Sequence, residues 1–333
     1  MKNKQIFVSA IFVGATLAGS LAGQVIGVDF RQALIQPAQA ADSNTLQFCQ
    51  INFPAGKPLA QIVWDRPSDA KMSKSAINGK DSVQACGLVK VPKNREIRVT
   101  LAYAGLAQME AIEQLKQCQV VYFNAAKLEF DDEHMAHLKD FKQLRNLQLG
   151  DTFVTDKSLP LIGTFSQLNT LRLSTTDVTG SGFEHIAGLK NLANLNLCGI
   201  SLKPGMMQKL TPLLSHFNDV DCATTGLTKE DARVLKGMTD IMALDIHGNK
   251  QIDDSCMNYL SAAKKLHSLN VIDTAVSEKS EPLFSALPNL SRVIVRERTF
   301  WHAAVHKTRR SSLEIVDASA TCRTPAGLFG PLH

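Results

Sequence analysis

The stretch from Leu144 to Leu197 contains LRNLQL, LNTLRL and LANLNL, whose central leucines Leu147, Leu171 and Leu195 stand 24 residues apart. This interval constrains the fold more than any other feature of the chain. Segments that recur at a fixed spacing of about 20 to 50 residues stack on one another, because each buries its apolar side only against its neighbours. A single enzyme core has no reason to keep such a period.

Tracing one strand position through the chain selects Val121, Leu147, Leu171, Leu195, Val220, Leu244, Leu269 and Val293, at spacings of 26, 24, 24, 25, 24, 25 and 24 residues. Two residues after each comes a second apolar position, occupied by Phe123, Leu149, Leu173, Leu197, Cys222, Ile246, Val271 and Val295. That alternation is the period of a strand. Further on, apolar residues return every third or fourth place, as in Phe183, Ile186, Leu189 and Leu192, or Ala232, Leu235, Met238 and Ile241. Such spacing marks one face of a helix, and a strict three marks a tighter helical turn. The expectation is an α/β solenoid of about eight strand-helix turns over residues 117–300.

An open stack exposes apolar surface at its ends, so capping segments are expected on both sides. Residues 41–116 read as an N-terminal cap of short strands, with Phe48, Ile51 and Phe53, the run Ile62-Val63-Trp64, and the alternation Ile97, Val99, Leu101. After Phe300 the pattern fades, leaving a C-terminal cap at 301–321 and a flexible tail at 322–333 that carries Pro325, Gly327, Gly330 and Pro331. At the start, Lys2 and Lys4 precede an apolar run from Ile6 to Val28 and a small-residue site at Ala38-Gln39-Ala40. This is the order of a secretory signal peptide, although the run is also long enough to stay as a membrane anchor. Either outcome places residues 41 onward outside the cytoplasm, periplasmic or secreted in the first case and membrane-anchored in the second.

The chain has seven cysteines and no CxxC pair, which removes support for a structural zinc site. Cys49 and Cys86 flank the segment before the repeats; a bridge between them would close a loop of about 37 residues, and the other reading is two buried free thiols. The net charge of +5 includes Lys2, Lys4 and the cluster Lys307-Thr308-Arg309-Arg310, so no broad basic face is expected and nucleic acid is not a predicted partner.

The unit LxxLxLxxTxVT followed by a helix resembles the leucine-rich repeat, in the manner of bacterial exported repeat proteins and of the ribonuclease-inhibitor-like and F-box-associated subclasses. The resemblance implies a horseshoe-shaped solenoid whose strands line its concave side and bind a protein or peptide there. Where that family places an inward Asn or Cys, this chain has Ala126, Thr152, Thr176, Ile200, Thr225, Asn249, Thr274 and Arg298. A threonine hydroxyl can still bond a turn, Ile200 cannot, and Arg298 marks the end of the regular stack.

The outward strand positions then carry the function: Tyr122, Gln148, Arg172, Asn196, Asp221, Asp245, Asn270 and Ile294, followed two residues later by a second row that includes Cys198 and His247. The candidate partner contacts are Tyr122, Arg172, Asn196, Asp221, Asp245, His247 and Asn270. Asp219, Asp221 and Asp245 fall on adjacent turns and are expected to form a solvated acidic patch. Asp221, Asp245 and His247 have the chemistry to hold a divalent cation, but no supporting shell is recognisable, so neither metal nor cofactor is expected. With no GxSxG, HExxH or phosphate-binding glycine loop, no catalytic residue is assigned and the chain is not expected to be an enzyme. Two functions remain, an exported binding module and a membrane-anchored structural spacer of the cell envelope.

Overall fold

The computed structural model describes residues 47–65, 80–296 and 314–317, all within one compact unit, Leu46–His333. The expected signal or anchor at 1–40, the tail at 322–333 and nearly all of the segment 301–321 lie outside the described residues.

The strands are β1 (Phe48–Asn52), β2 (Ala60–Asp65), β3 (Lys80–Gln84), β4 (Leu88–Pro92), β5 (Glu96–Leu101), β6 (Gln119–Asn124), β7 (Asn146–Gln148), β8 (Thr170–Arg172), β9 (Asn194–Asn196), β10 (Asp219–Asp221), β11 (Ala243–Asp245), β12 (Ser268–Asn270), β13 (Arg292–Val295) and β14 (Glu314–Asp317). Among the described residues, β5 to β14 lie side by side in chain order, and β2 and β3 extend the same sheet to 12 strands. Every pairing from β5 to β14 is parallel, whereas β2 is antiparallel to both β3 and β5. Separately, β1 and β4 form an antiparallel pair. Parallel neighbours joined by short helical returns are the architecture of an α/β solenoid.

The register corrects the expected one at its start. Leu147 pairs with Phe123, not Val121, and Phe123 in turn pairs with Val99, so the stack runs Val99, Phe123, Leu147, Leu171, Leu195, Val220, Leu244, Leu269, Val293 and Ile315. The cause is a bulge. Ile97 faces Val120 and Arg98 faces Tyr122, which leaves Val121 as an extra residue on β6. The parallel stack therefore begins at β5, inside the region expected to be a cap, and Leu128 rather than Ala126 holds the place equivalent to Thr152.

On the helical side the returns are short, and several are 3-10 rather than α. Met206–His216 is a 3-10 helix of 11 residues with Pro212 inside it, and its buried Met207, Leu210 and Leu213 recur at every third place. Proline cannot donate the hydrogen bond that an α-turn would need there. Phe183, Ile186, Leu189 and Leu192, and Ala232, Leu235, Met238 and Ile241, are all buried. They meet the inward strand residues in one continuous core, where the Phe123 ring packs 6.1 Å from Phe130 and 6.2 Å from Phe141.

Three columns of local chemistry let the chain leave each strand the same way. In the first, Lys127, Asp151, Thr175, Thr224 and Asp273 adopt φ between 52° and 64°, and Gly199 and Gly248 in the equivalent turns have φ 74°. Next to that left-handed residue comes a hydroxyl, buried at Thr152, Thr176 and Thr225 and half-buried at Thr274: these donate to the carbonyls of Leu149, Leu173, Cys222 and Val271 at 2.7–2.8 Å. Asn249 does more, donating to Cys222 at 2.8 Å and Ile246 at 2.9 Å and accepting from Leu227 N–H at 2.9 Å. In the third column, aspartates bind the following turn. Asp132 accepts from Thr155 N–H at 3.0 Å, Asp156 from Thr179 N–H at 3.1 Å and Asp254 from Ser277 N–H at 2.9 Å.

The candidate bridge between Cys49 and Cys86 is also corrected. The Cys49 sulfur faces Cys118 at 3.6 Å, while the Cys86 thiol donates to the Gly56 carbonyl at 3.1 Å. Strand alternation explains this. Cys49 is an inward residue of β1 with the burial of Ile51, whereas Cys86 is half-buried in the turn before β4.

Candidate interaction surface on the sheet face

Two rows of side chains project from the parallel sheet on the side away from the core. The bulge at Val121 decides which residue joins which row. Tyr122 pairs with Asn146 and so stands in line with Arg98, Thr170, Asn194 and Asp219, while Asn124 leads the row of Gln148, Arg172, Asn196, Asp221, Asp245 and Asn270. The expected contact set is therefore divided between neighbouring rows.

Burial divides it again. Tyr122, Arg172, Asn196 and His247 are half-buried, but Asp221, Asp245 and Asn270 are only 6%, 7% and 4% exposed, and Ile294 is 3% exposed. The solvated acidic patch is thus corrected. Two of its carboxylates are drawn in by groups that need acceptors. Asp221 accepts from the Ala223 N–H at 3.0 Å and from the Asn196 amide at 2.9 Å. Asp245 accepts from the His247 N–H at 3.0 Å and the Asn270 amide at 2.9 Å, and the His247 ring Nδ1 lies 2.7 Å away. Asn196 and Asn270 complete the pattern, accepting from the N–H of Cys198 at 3.0 Å and of Ile272 at 3.2 Å. Each is a side chain bonding the backbone two residues on, the turn for which Asn and Asp are suited. The row that composition marks as acidic is, chemically, a ladder of turn closures.

These groups carry unusual proton affinities. Burial pushes the Asp219 carboxyl up to about 7, with the negative charge of Asp221 adding to it and the Arg172 guanidinium opposing it. Asp221 rises to about 6, again through burial, against the stabilising N–H of Ala223. The hydrogen bond to Asp245 holds His247 above the ordinary imidazole range. Tyr122 is raised by burial, and Arg172 and Arg98 work against that rise. Arg172 therefore acts on both Tyr122 and Asp219, and the face passes from basic on β5 and β8 to acidic on β10 and β11.

The same engagement bears on chemistry. Both oxygens of Asp245 are occupied, one of them by the His247 ring, and among the described residues no three His, Cys, Asp or Glu side chains are placed to hold a metal ion. The Cys198 thiol rises to about 11 through burial and the nearby Asp221, which suppresses the thiolate that a nucleophile needs. Asp219 is the residue that pattern reading undervalued. It stands in regular register with Asn146, Thr170 and Asn194, and the bulge at Val121 brings Tyr122 into that same row.

No family model and no curated protein matches this chain. Among solved structures it is similar to internalin C2 from Listeria monocytogenes str. 4b F2365, at 20% sequence identity and a TM-score of 0.42, over 57% of this chain and 83% of that one.

Proposed function

We propose that this chain is an exported binding module whose parallel-sheet face receives a protein or peptide, with Tyr122, Arg172, Asp219 and His247 as the contact side chains. The observation that carries this reading is the set of half-buried polar side chains around the hydrogen-bonded ladder of Asn196, Asp221, Asp245 and Asn270: Tyr122 and Asp219 in the row on one side, Arg172 in the ladder's own row, and His247 two residues beyond Asp245. A partly buried tyrosine and arginine provide large contact area with a polar end, the composition of residues that dominate binding energy at interfaces. The ladder fixes the strand ends beneath them, so little side-chain freedom is lost on docking. The run from Arg98 and Arg172 to Asp219 and Asp221 selects a partner of the opposite charge order, acidic towards β5 and basic towards β10. Export is proposed from the charge, apolar run and cleavage site of the first 40 residues alone, and a mature product beginning at Ala41 tests it.

The binding test uses a photo-crosslinking residue at position 122 in the full chain, presented to an extract of envelope proteins. A crosslinked product of defined mass is expected, lost when Arg172→Glu reverses the charge and absent when the probe is moved to position 139 on the helical side. Equal yields from positions 122 and 139 would remove the sheet face from the proposal.

A further inference from the structure

Cys49 lies on β1, and Cys118 follows the 3-10 turn Glu113–Gln117 just before β6. Although 69 residues separate them in the chain, their sulfurs stand 3.6 Å apart. Both are buried, at 3% and 7% exposure. We infer that Cys49 and Cys118 are a disulfide-forming site, oxidised by exchange with a small-molecule or protein disulfide, that staples the β1–β4 pair to the first turns of the parallel stack.

Three observations lead there. A disulfide needs sulfurs about 2 Å apart, so closing this pair takes a movement of roughly 1.5 Å, within the reach of side-chain rotation. Among the described cysteines this is the pair whose sulfurs meet: Cys86 is turned to the Gly56 carbonyl, Cys256 to the Asp253 carboxylate, and Cys198 and Cys222 belong to the turns after β9 and β10, with Cys222 buried and Cys198 half-buried. The third is mechanical. Among the described residues no strand ladder joins β1 or β4 to the 12-stranded sheet, so β1 is held to it by its pairing with β4 and by the packing of residues such as Cys49 and Ile51, and a covalent tie there constrains an element outside that sheet.

The chemistry is two exchanges. One cysteine, as its thiolate, attacks a sulfur of the oxidant, whose S–S bond breaks and releases one thiolate. The second cysteine then attacks the mixed disulfide, forming the Cys49–Cys118 bond and releasing the other half of the oxidant. The two protons lost by the cysteines end on the two released thiols, and the oxidant takes both electrons. Burial and the neighbouring Cys49 thiol push Cys118 up to about 12, against the opposing charge of Lys93. A buried thiol of this kind exchanges slowly, so the bond forms while β1 is still undocked, during folding.

The test refolds the reduced full chain in a buffer of oxidised and reduced glutathione, blocks free thiols with N-ethylmaleimide and maps the digest by mass. The expected product is a linked peptide pair containing Cys49 and Cys118, two hydrogens lighter than the reduced peptides. It persists in Cys86→Ser and disappears in Cys118→Ser. Reducing the bond lowers the melting temperature by about 5–10 °C, as expected for a tie across so long a loop. Recovery of Cys49 and Cys118 both alkylated, or of Cys49 linked to Cys86 or Cys322, overturns the inference, and the mapping of the unsubstituted chain decides this even where a variant does not fold.

Discussion

Asn270 gives its side-chain amide to Asp245 at 2.9 Å, from one strand of the parallel sheet to the next. Asn196 and Asp221 repeat the contact two strands away with the same length, mirrored in direction, since there the amide lies on the earlier strand. In both cases the carboxylate also closes its own turn, so one side chain joins local and cross-strand structure.

Asp245→Ala removes the acceptor for the Asn270 amide and for the His247 N–H in a place that water barely reaches. The expected loss is about 2–4 kcal/mol, the cost of leaving buried donors unsatisfied, read from the urea midpoint. The double variant Asp245→Ala/Asn270→Ala loses less than the sum of the single changes, because the amide left stranded in the first is gone.

Stability in the window between about pH 5 and 8 follows from the raised groups. Asp219, at about 7, and Asp221, at about 6, bind protons in the folded state that the unfolded chain has already released. Their contribution therefore falls as pH rises through that window. His247, raised by Asp245, has the same sign, its contribution being complete below the unfolded value and lost above the folded one. Asp131 and Asp273 are lowered, so their stabilisation is present above the ordinary carboxylate range and lost only on stronger acidification. Denaturation midpoints measured across the window should decline with rising pH, and Asp219→Asn should flatten the decline. A midpoint that rises over the same range contradicts the assignment.

Gly248→Ala is expected to cost about 1–2 kcal/mol, the penalty for a side chain in the left-handed region. Its φ is 74°, and an added Cβ would stand 2.5 Å from Cγ2 of Thr224 on the turn below. Thr224→Gly clears that contact, so the double variant should recover part of the loss in thermal melts, whereas simple additivity would show that the two turns do not touch.

Thr176→Val keeps the shape of a buried residue and deletes its hydroxyl bond to the Leu173 carbonyl. A loss of about 1 kcal/mol is expected, and Thr152→Val should match it because its bond to Leu149 has the same 2.7 Å length. Ile200 fills the equivalent place without any hydroxyl, and it is 1% exposed. Ile200→Thr should therefore give up apolar burial and destabilise, although it restores the pattern.

The fold was largely legible because inward leucines must recur wherever one turn lies on another. Val121 shows where that reading fails: in the run Val120-Val121-Tyr122-Phe123 both Val121 and Phe123 suit the inward place, and only pairing with β5 reveals which residue bulges. The candidate site was less legible. Asp221 and Asp245 have the sequence character of exposed acids, yet their neighbours' unsatisfied N–H groups pull them under the surface. Cys49 illustrates the same difficulty over a longer span, since its partner depends on how β1 folds back and not on distance along the chain.

By itself the sequence determined the period and the strand positions from Leu147 to Val293, because these follow from local alternation and from the need of each turn for a neighbour. The tertiary structure alone decided the register at β6, the burial of the aspartate ladder and the meeting of Cys49 with Cys118. Each of those depends on contacts between residues far apart in the chain, and a periodic pattern carries no information about which of several compatible alignments places a donor beside an acceptor.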